Sequence, residues 1–160
     1  MKYFSDLQNA MEHLSTTGAF LTTKDNDIVN TMTISWGFVG FMWGKPYFVT
    51  MVRPQRFTNE ILSQSTNFTI SIPFGTLKEE LKICGTQSGR DINKHKIVTF
   101  TPSTTVSAPV VDGCNMYYEC EIKYTDVLKE GNIPKEIISS LYNKDYHNLF
   151  FGEIVDSYQK

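Results

Sequence analysis

The sequence predicts a mainly β chain of the α+β class: an antiparallel barrel with short helices at its periphery. Three observations carry this expectation. Stretches rich in Thr, Val, Ile and aromatic residues recur at strand length, separated by breaks containing Asp, Asn, Gly or Pro. Helical spacing is confined to short, isolated segments, without the strand–helix alternation of a parallel sheet. The length of 160 residues gives one domain a real core and leaves little room for a second, so residues 1–160 are read as a single unit.

Element by element, Leu7, Met11 and Leu14 recur at helical spacing and Gly18 follows, which predicts a helix over 5–14. Three strands are expected next, over 19–24, 28–38 and 46–52, divided by Asp25-Asn26-Asp27 and Gly44-Lys45-Pro46. A short helix is expected over 58–64. Residues 67–72 alternate apolar and polar as a strand with one buried face does. The segment 77–83 carries Leu77, Leu81 and Cys84 on one stripe and reads as a helix leading into a loop. Residues 96–115 read as irregular, 118–124 as a strand, 134–142 as a helix with Pro134 in its first turn, and 149–158 as a final strand, for about six strands in all.

The formal charge of -2 and pI near 5.9, with scattered Lys and Arg, argue against a nucleic-acid partner. No signal-type leader or membrane-length apolar run is present, so a cytoplasmic protein is expected. Cys84, Cys114 and Cys120 make an odd count without a Cys-x-x-Cys pair, and His13, His95 and His147 are far apart, so no metal site is expected. P-loop, Rossmann and Gly-x-Ser-x-Gly motifs are absent.

Two segments carry candidate chemistry. Val52-Arg53-Pro54-Gln55-Arg56-Phe57-Thr58 places two guanidiniums and a hydroxyl in a strand-to-helix turn, with Thr58 expected to cap the helix, the pattern of a phosphate grip. Surface pairing of these arginines with carboxylates is the alternative. Gly85 to Lys94 reads as an ordered loop in which Ser88 and Lys94 offer a hydroxyl and an ammonium, and glycines permit close backbone approach. A solvated turn is the alternative there. In the strand around Asn30-Thr31-Met32-Thr33-Ile34-Ser35-Trp36, the side chains of Thr31, Thr33 and Ser35 are expected on a ligand-facing side, and those of Met32, Ile34 and Trp36 toward the core.

With these segments, Gly18 to Thr23 and His147 to Val155, the chain resembles the flavin reductase-like FMN-binding family, in particular its flavoredoxin-like branch. The resemblance spans nearly the whole chain. It implies a split barrel that dimerises and binds FMN non-covalently. On this resemblance, Asn30, Thr31, Met32, Thr33, Ser35 and Trp36 fall at the flavin ring and ribityl chain, and Arg53, Arg56, Thr58, Ser88, Gly89 and Lys94 at the phosphate. His147 falls at the nicotinamide end as the candidate catalytic residue, with a surface or interface histidine as the alternative; Tyr146 precedes it where the family pattern has Asp, and Asp145 is the residue expected to orient it. The activity implied is an NAD(P)H-dependent flavin reductase-type oxidoreductase, passing hydride or electrons through FMN to a flavin or other acceptor. The rivals are a flavoredoxin-like electron carrier working with redox proteins, and a barrel that has lost flavin and serves as a binding module.

Overall fold

The computed structural model describes residues 2–160. After a 3-10 turn, helix α1 (Leu7–Thr16) buries Ala10 and Leu14 against the barrel. Strands β1 (Ala19–Asp25) and β2 (Ile28–Ile34) form a hairpin, as do β3 (Gly37–Met42) and β4 (Lys45–Val52). The second hairpin turns through Trp43 and Gly44, both at positive φ, 52° and 74°, as a two-residue turn matched to strand twist requires. Helix α2 (Phe57–Leu62), β5 (Asn67–Ile72) and α3 (Lys78–Thr86) follow. Two short strands, β6 (Phe100–Thr101) and β7 (Val110–Val111), pair with each other. The long β8 (Met116–Val127), α4 (Lys135–Leu141) and β9 (Asn148–Gln159) complete the chain.

Seven strands make one antiparallel sheet in the order β2-β1-β5-β8-β9-β4-β3. β2, at one end, approaches β4 near the other, so the sheet curls into a split barrel with short peripheral helices, the class expected from sequence. The register of β8 on β9 shifts at Glu119/Cys120 and Ile122/Tyr124, where bulges add bend and twist. The barrel interior is filled by side chains such as Leu21, Phe48, Phe68, Ile70 and Tyr118. A second cluster outside it joins Phe20 and Tyr117 to Leu81 and Cys84 of α3 and to Val110 and Val111.

Four expectations are corrected. The segment 28–38 is two strands: Ile34 is the last β2 residue paired to β1, Gly37 begins pairing with Thr50 of β4, and Ser35-Trp36 bridges the split between them. β5 is buried along its whole length, because its polar face docks the 107–111 segment: the Thr69 hydroxyl donates to the Pro109 carbonyl at 2.6 Å, and the Val111 amide to Ser71 Oγ at 3.1 Å. The stretch 96–115 is not wholly irregular, since it supplies β6 and β7. Nine strands are present among the described residues, against about six expected.

Candidate functional site

The turn between β4 and α2 splits its two arginines. Arg53 reaches toward the chain after α4, donating to Asp145 Oδ2 at 2.6 Å and to the Leu141 carbonyl at 3.0 Å, with its guanidinium 5.1 Å from the centre of the Tyr142 ring. Arg56 reaches the other way and donates through Nη1 to the Gly85 carbonyl at 3.0 Å. Thr58 does not cap α2, whose N-cap is Arg56 without a side-chain cap bond. Its buried hydroxyl instead accepts from Asn30 Nδ2 at 2.9 Å, tying the helix to β2.

Three side chains converge on the C-terminal half of α3, where the carbonyls of Cys84 and Gly85, in the last turn, lack intrahelical partners. Thr33 Oγ1 donates to Leu81 O at 2.5 Å, Lys94 Nζ to Cys84 O at 3.0 Å, and Arg56 to Gly85 O. Two of these donors are cations, which the negative end of a helix dipole favours. Lys94 also donates to Thr31 O at 3.1 Å and is only 3 % exposed; burial lowers its pKa, and Arg56 pushes in the same direction. The ammonium therefore holds α3 to β2 and retains one of its three donors.

The loop after α3 is drawn onto the same elements. Gly89 lies so close to Asn30 that a Cβ there would stand 2.1 Å from Asn30 Oδ1, so only glycine fits without displacing it. Ser88 Oγ accepts the Arg90 amide at 3.1 Å, while Arg90 pairs with Glu60 and lies 5.0 Å from the centre of the Phe57 ring. Among the described residues, no protein acceptor takes the amides of Ser88 or Gly89.

The structure thus brings the two sequence segments to one cleft of about 320 Å³, bordered by Asn30, Arg56, Thr58, Ser88, Gly89 and Lys94. A second cleft of about 240 Å³ is bordered by Thr33, Ser35, Trp36, Met51 and His147. Met32, Arg53 and Arg56 line both, so the two adjoin across these side chains. One end is cationic with free amides; the other has a thioether and an indole on its walls.

The expected sidedness of β2 is met in part: Met32 and Ile34 belong to the barrel core, and Thr33 and Ser35 border the groove. The Thr31 hydroxyl is buried and donates to Leu21 O at 3.2 Å, and the Thr33 hydroxyl is taken by α3, so these groups satisfy protein partners. Met32, though buried, borders the groove as well. Trp36, expected toward the core, is 38 % exposed beside Ser35 in the strand break.

His147, immediately before β9, is buried, with its ring 5.1 Å from that of Trp36. Burial lowers its pKa to about 4, with the Arg53 charge adding to the effect, so the imidazole is neutral near pH 7. Asp145 does not hold it: that carboxylate takes Arg53 and Gln55. The partner of Nδ1 is the Tyr142 hydroxyl at 2.8 Å. Sequence reasoning missed Tyr142 and Met51. The available signal for Tyr142 was its position at the end of the 134–142 helix, five residues before the candidate histidine.

Among the described residues no group of three or more His, Cys, Asp or Glu is arranged to hold a metal ion, and no helix is long and apolar enough to cross a membrane. The family model of the flavin reductase like domain matches residues 11–160. An uncharacterized protein of Pyrococcus abyssi is 26 % identical over 132 residues; the match takes in 81 % of this chain and 65 % of the relative's length. The FMN-binding protein of Thermus thermophilus, solved with bound p-hydroxybenzaldehyde, superposes with a TM-score of 0.71 at 23 % identity, covering 90 % of this chain and 71 % of that one. Flavoredoxin of Methanosarcina acetivorans gives a TM-score of 0.71 at 19 % identity, covering 90 % and 68 %.

Proposed function

The chain belongs to the flavin reductase like domain family, and from that premise we propose that its groove binds FMN non-covalently in an oxidoreductase that passes a hydride or electrons from NAD(P)H to a flavin or other acceptor. The observation that carries the reading is the adjacency of the two clefts across Met32, Arg53 and Arg56. A ligand with a dianion at one end and a flat ring at the other matches a groove that is cationic at one end and walled by Met32 and Trp36 at the other.

In this reading Arg56 supplies the charge-assisted donors to the phosphate, since only one of its five N–H groups is used within the protein. The unclaimed amides of Ser88 and Gly89, and the remaining donor of Lys94, complete the cradle. Asn30 and Thr58 hold α2 and β2 in register beneath it and act on the ligand through that placement. The ring lies along Met32 to Trp36, where the strand break leaves Ser35 and Trp36 exposed toward a reaction partner. Arg53 is engaged by Asp145, and contributes to the phosphate end as a nearby charge.

The flavin supplies the hydride and electron chemistry when bound. The protein's part is to orient the ring, keep the phosphate end cationic and leave the Trp36 and His147 side open to the donor. A cytoplasmic homodimer is part of the proposal. The edge strand β3 and its turn expose Phe38, Phe41 and Trp43 at 50 %, 61 % and 68 %, a surface that a second copy would cover. Light scattering after size-exclusion chromatography tests that part.

An absorbance spectrum of purified protein supplied with FMN, followed by anaerobic addition of NADH and NADPH, tests the function. The expected result is a bound-flavin spectrum that bleaches on a catalytic timescale. Bleaching by ferredoxin-type proteins, and not by either nicotinamide, would assign the chain to electron carriers instead; a protein that ignores FMN would overturn both readings.

A further inference from the structure

We propose that Tyr142 is a positioning residue that fixes His147 as its Nε2–H tautomer, so that the imidazole presents a hydrogen-bond donor, not an acceptor, to the cleft beside Ser35 and Trp36. The functional consequence rests on the reading of that cleft as the place where the flavin meets its reaction partner.

The argument starts from proton counting. A neutral imidazole has one N–H and one bare nitrogen, and the partner of one nitrogen decides the state of the other. Tyr142 Oη stands 2.8 Å from His147 Nδ1, and the phenol has a single proton to donate. Among the described residues that proton has no acceptor other than Nδ1. If Nδ1 carried the hydrogen instead, the half-buried phenol would lose the acceptor for its own proton within the protein, which costs free energy. Donation from Tyr142 to Nδ1 satisfies both groups and leaves the hydrogen on Nε2.

Nε2 faces the cleft. His147 lines it, no protein group takes Nε2 among the described residues, and Nε2 is not among the sealed, unpartnered atoms. The charged groups around the imidazole oppose one another, and burial decides the balance. The Arg53 guanidinium lies over the Tyr142 ring and donates to the Leu141 carbonyl, which fixes the phenol in place and opposes a second positive charge on His147. Asp145, engaged by Arg53, favours the imidazolium, but its pull is smaller than that of burial or of Arg53. Burial, the largest effect, acts with Arg53 and outweighs Asp145, so the ring is held neutral. Trp36 packs against it from the strand break.

The cleft therefore favours a partner that offers a carbonyl or carboxamide oxygen to Nε2–H, and disfavours one that offers a cation or a second donor. A nicotinamide carboxamide has that chemistry.

A long-range proton–nitrogen correlation spectrum of 15N-labelled protein at pH 7 reads the tautomer without depending on activity. The expected result is an unprotonated, hydrogen-bond-accepting Nδ1 and a protonated Nε2 at His147. A protonated Nδ1, or an even mixture, overturns the proposal. In Tyr142→Phe the spectrum should shift to a mixture, and flavin reduction by nicotinamide should slow roughly tenfold with FMN affinity unchanged; a variant that keeps the wild-type tautomer overturns the role of Tyr142. Should that variant not fold, the wild-type spectrum alone decides. A protein that no nicotinamide reduces, yet shows the expected tautomer, removes the assigned hydride donor and leaves the positioning intact.

Discussion

Arg56 donates through Nη1 to the Gly85 carbonyl at 3.0 Å, so the side chain that borders both halves of the groove also closes the C-terminal end of α3. Ligand recognition and the seating of that helix therefore share one guanidinium. Arg56→Ala should raise the FMN dissociation constant about 10- to 150-fold, the equivalent of a charge-assisted bond of roughly 1.5–3 kcal/mol. Flavin fluorescence quenching measures this, and a change under threefold would contradict it.

Lys94 is the structural counterpart. Lys94→Met removes the donor to Thr31 O and Cys84 O and leaves two buried carbonyls unpartnered. Urea unfolding should show a loss of about 1–3 kcal/mol even without FMN. An unchanged midpoint would mean that these carbonyls find other partners.

Gly89→Ala tests the contact between loop and strand. The new Cβ would displace Asn30 Oδ1 and with it the Asn30–Thr58 bond. Both FMN affinity and thermal stability should fall, by about 1–2 kcal/mol in stability. A variant that matches the parent in both would show that the loop shifts freely.

The histidine sets a pH dependence. The folded state holds the His147 pKa near 4, against an ordinary value of 6.5. Below 6.5 the unfolded chain therefore binds a proton that the folded chain refuses. Stability contributed by this residue is present above about 6.5 and declines as pH falls toward 4, by up to about 3 kcal/mol in all. Urea midpoints between pH 5 and 7 should slope more steeply for the parent than for His147→Gln, and equal slopes would contradict the assignment.

The sequence made the barrel legible because its strands carry β-branched and aromatic residues at the right length, and because the Asp25-Asn26-Asp27 and Gly44-Lys45 breaks mark hairpins. It did not reveal the break at Ser35-Trp36. That break arises where the chain passes from pairing with β1 to pairing with β4, a consequence of barrel closure that local patterning does not encode. The Arg56 and Ser88-Gly89 segments were legible as cationic, glycine-bearing turns, and the fold does bring them to one cleft. The fates of Thr31, Thr33 and Thr58 were not, since each hydroxyl is claimed by a partner distant in sequence or on a neighbouring strand. Tyr142 was marked in the sequence only by its place at the helix end five residues before His147, because its importance lies in one 2.8 Å contact across the loop after α4.

The most direct measurement is a comparison of FMN and riboflavin binding to the same protein by isothermal titration. Both ligands carry the ring, and only one carries the phosphate assigned to Arg56, Ser88, Gly89 and Lys94. FMN should bind at least tenfold more tightly, with the difference shrinking as salt is raised. Equal affinities, or no heat from either ligand, would contradict the account.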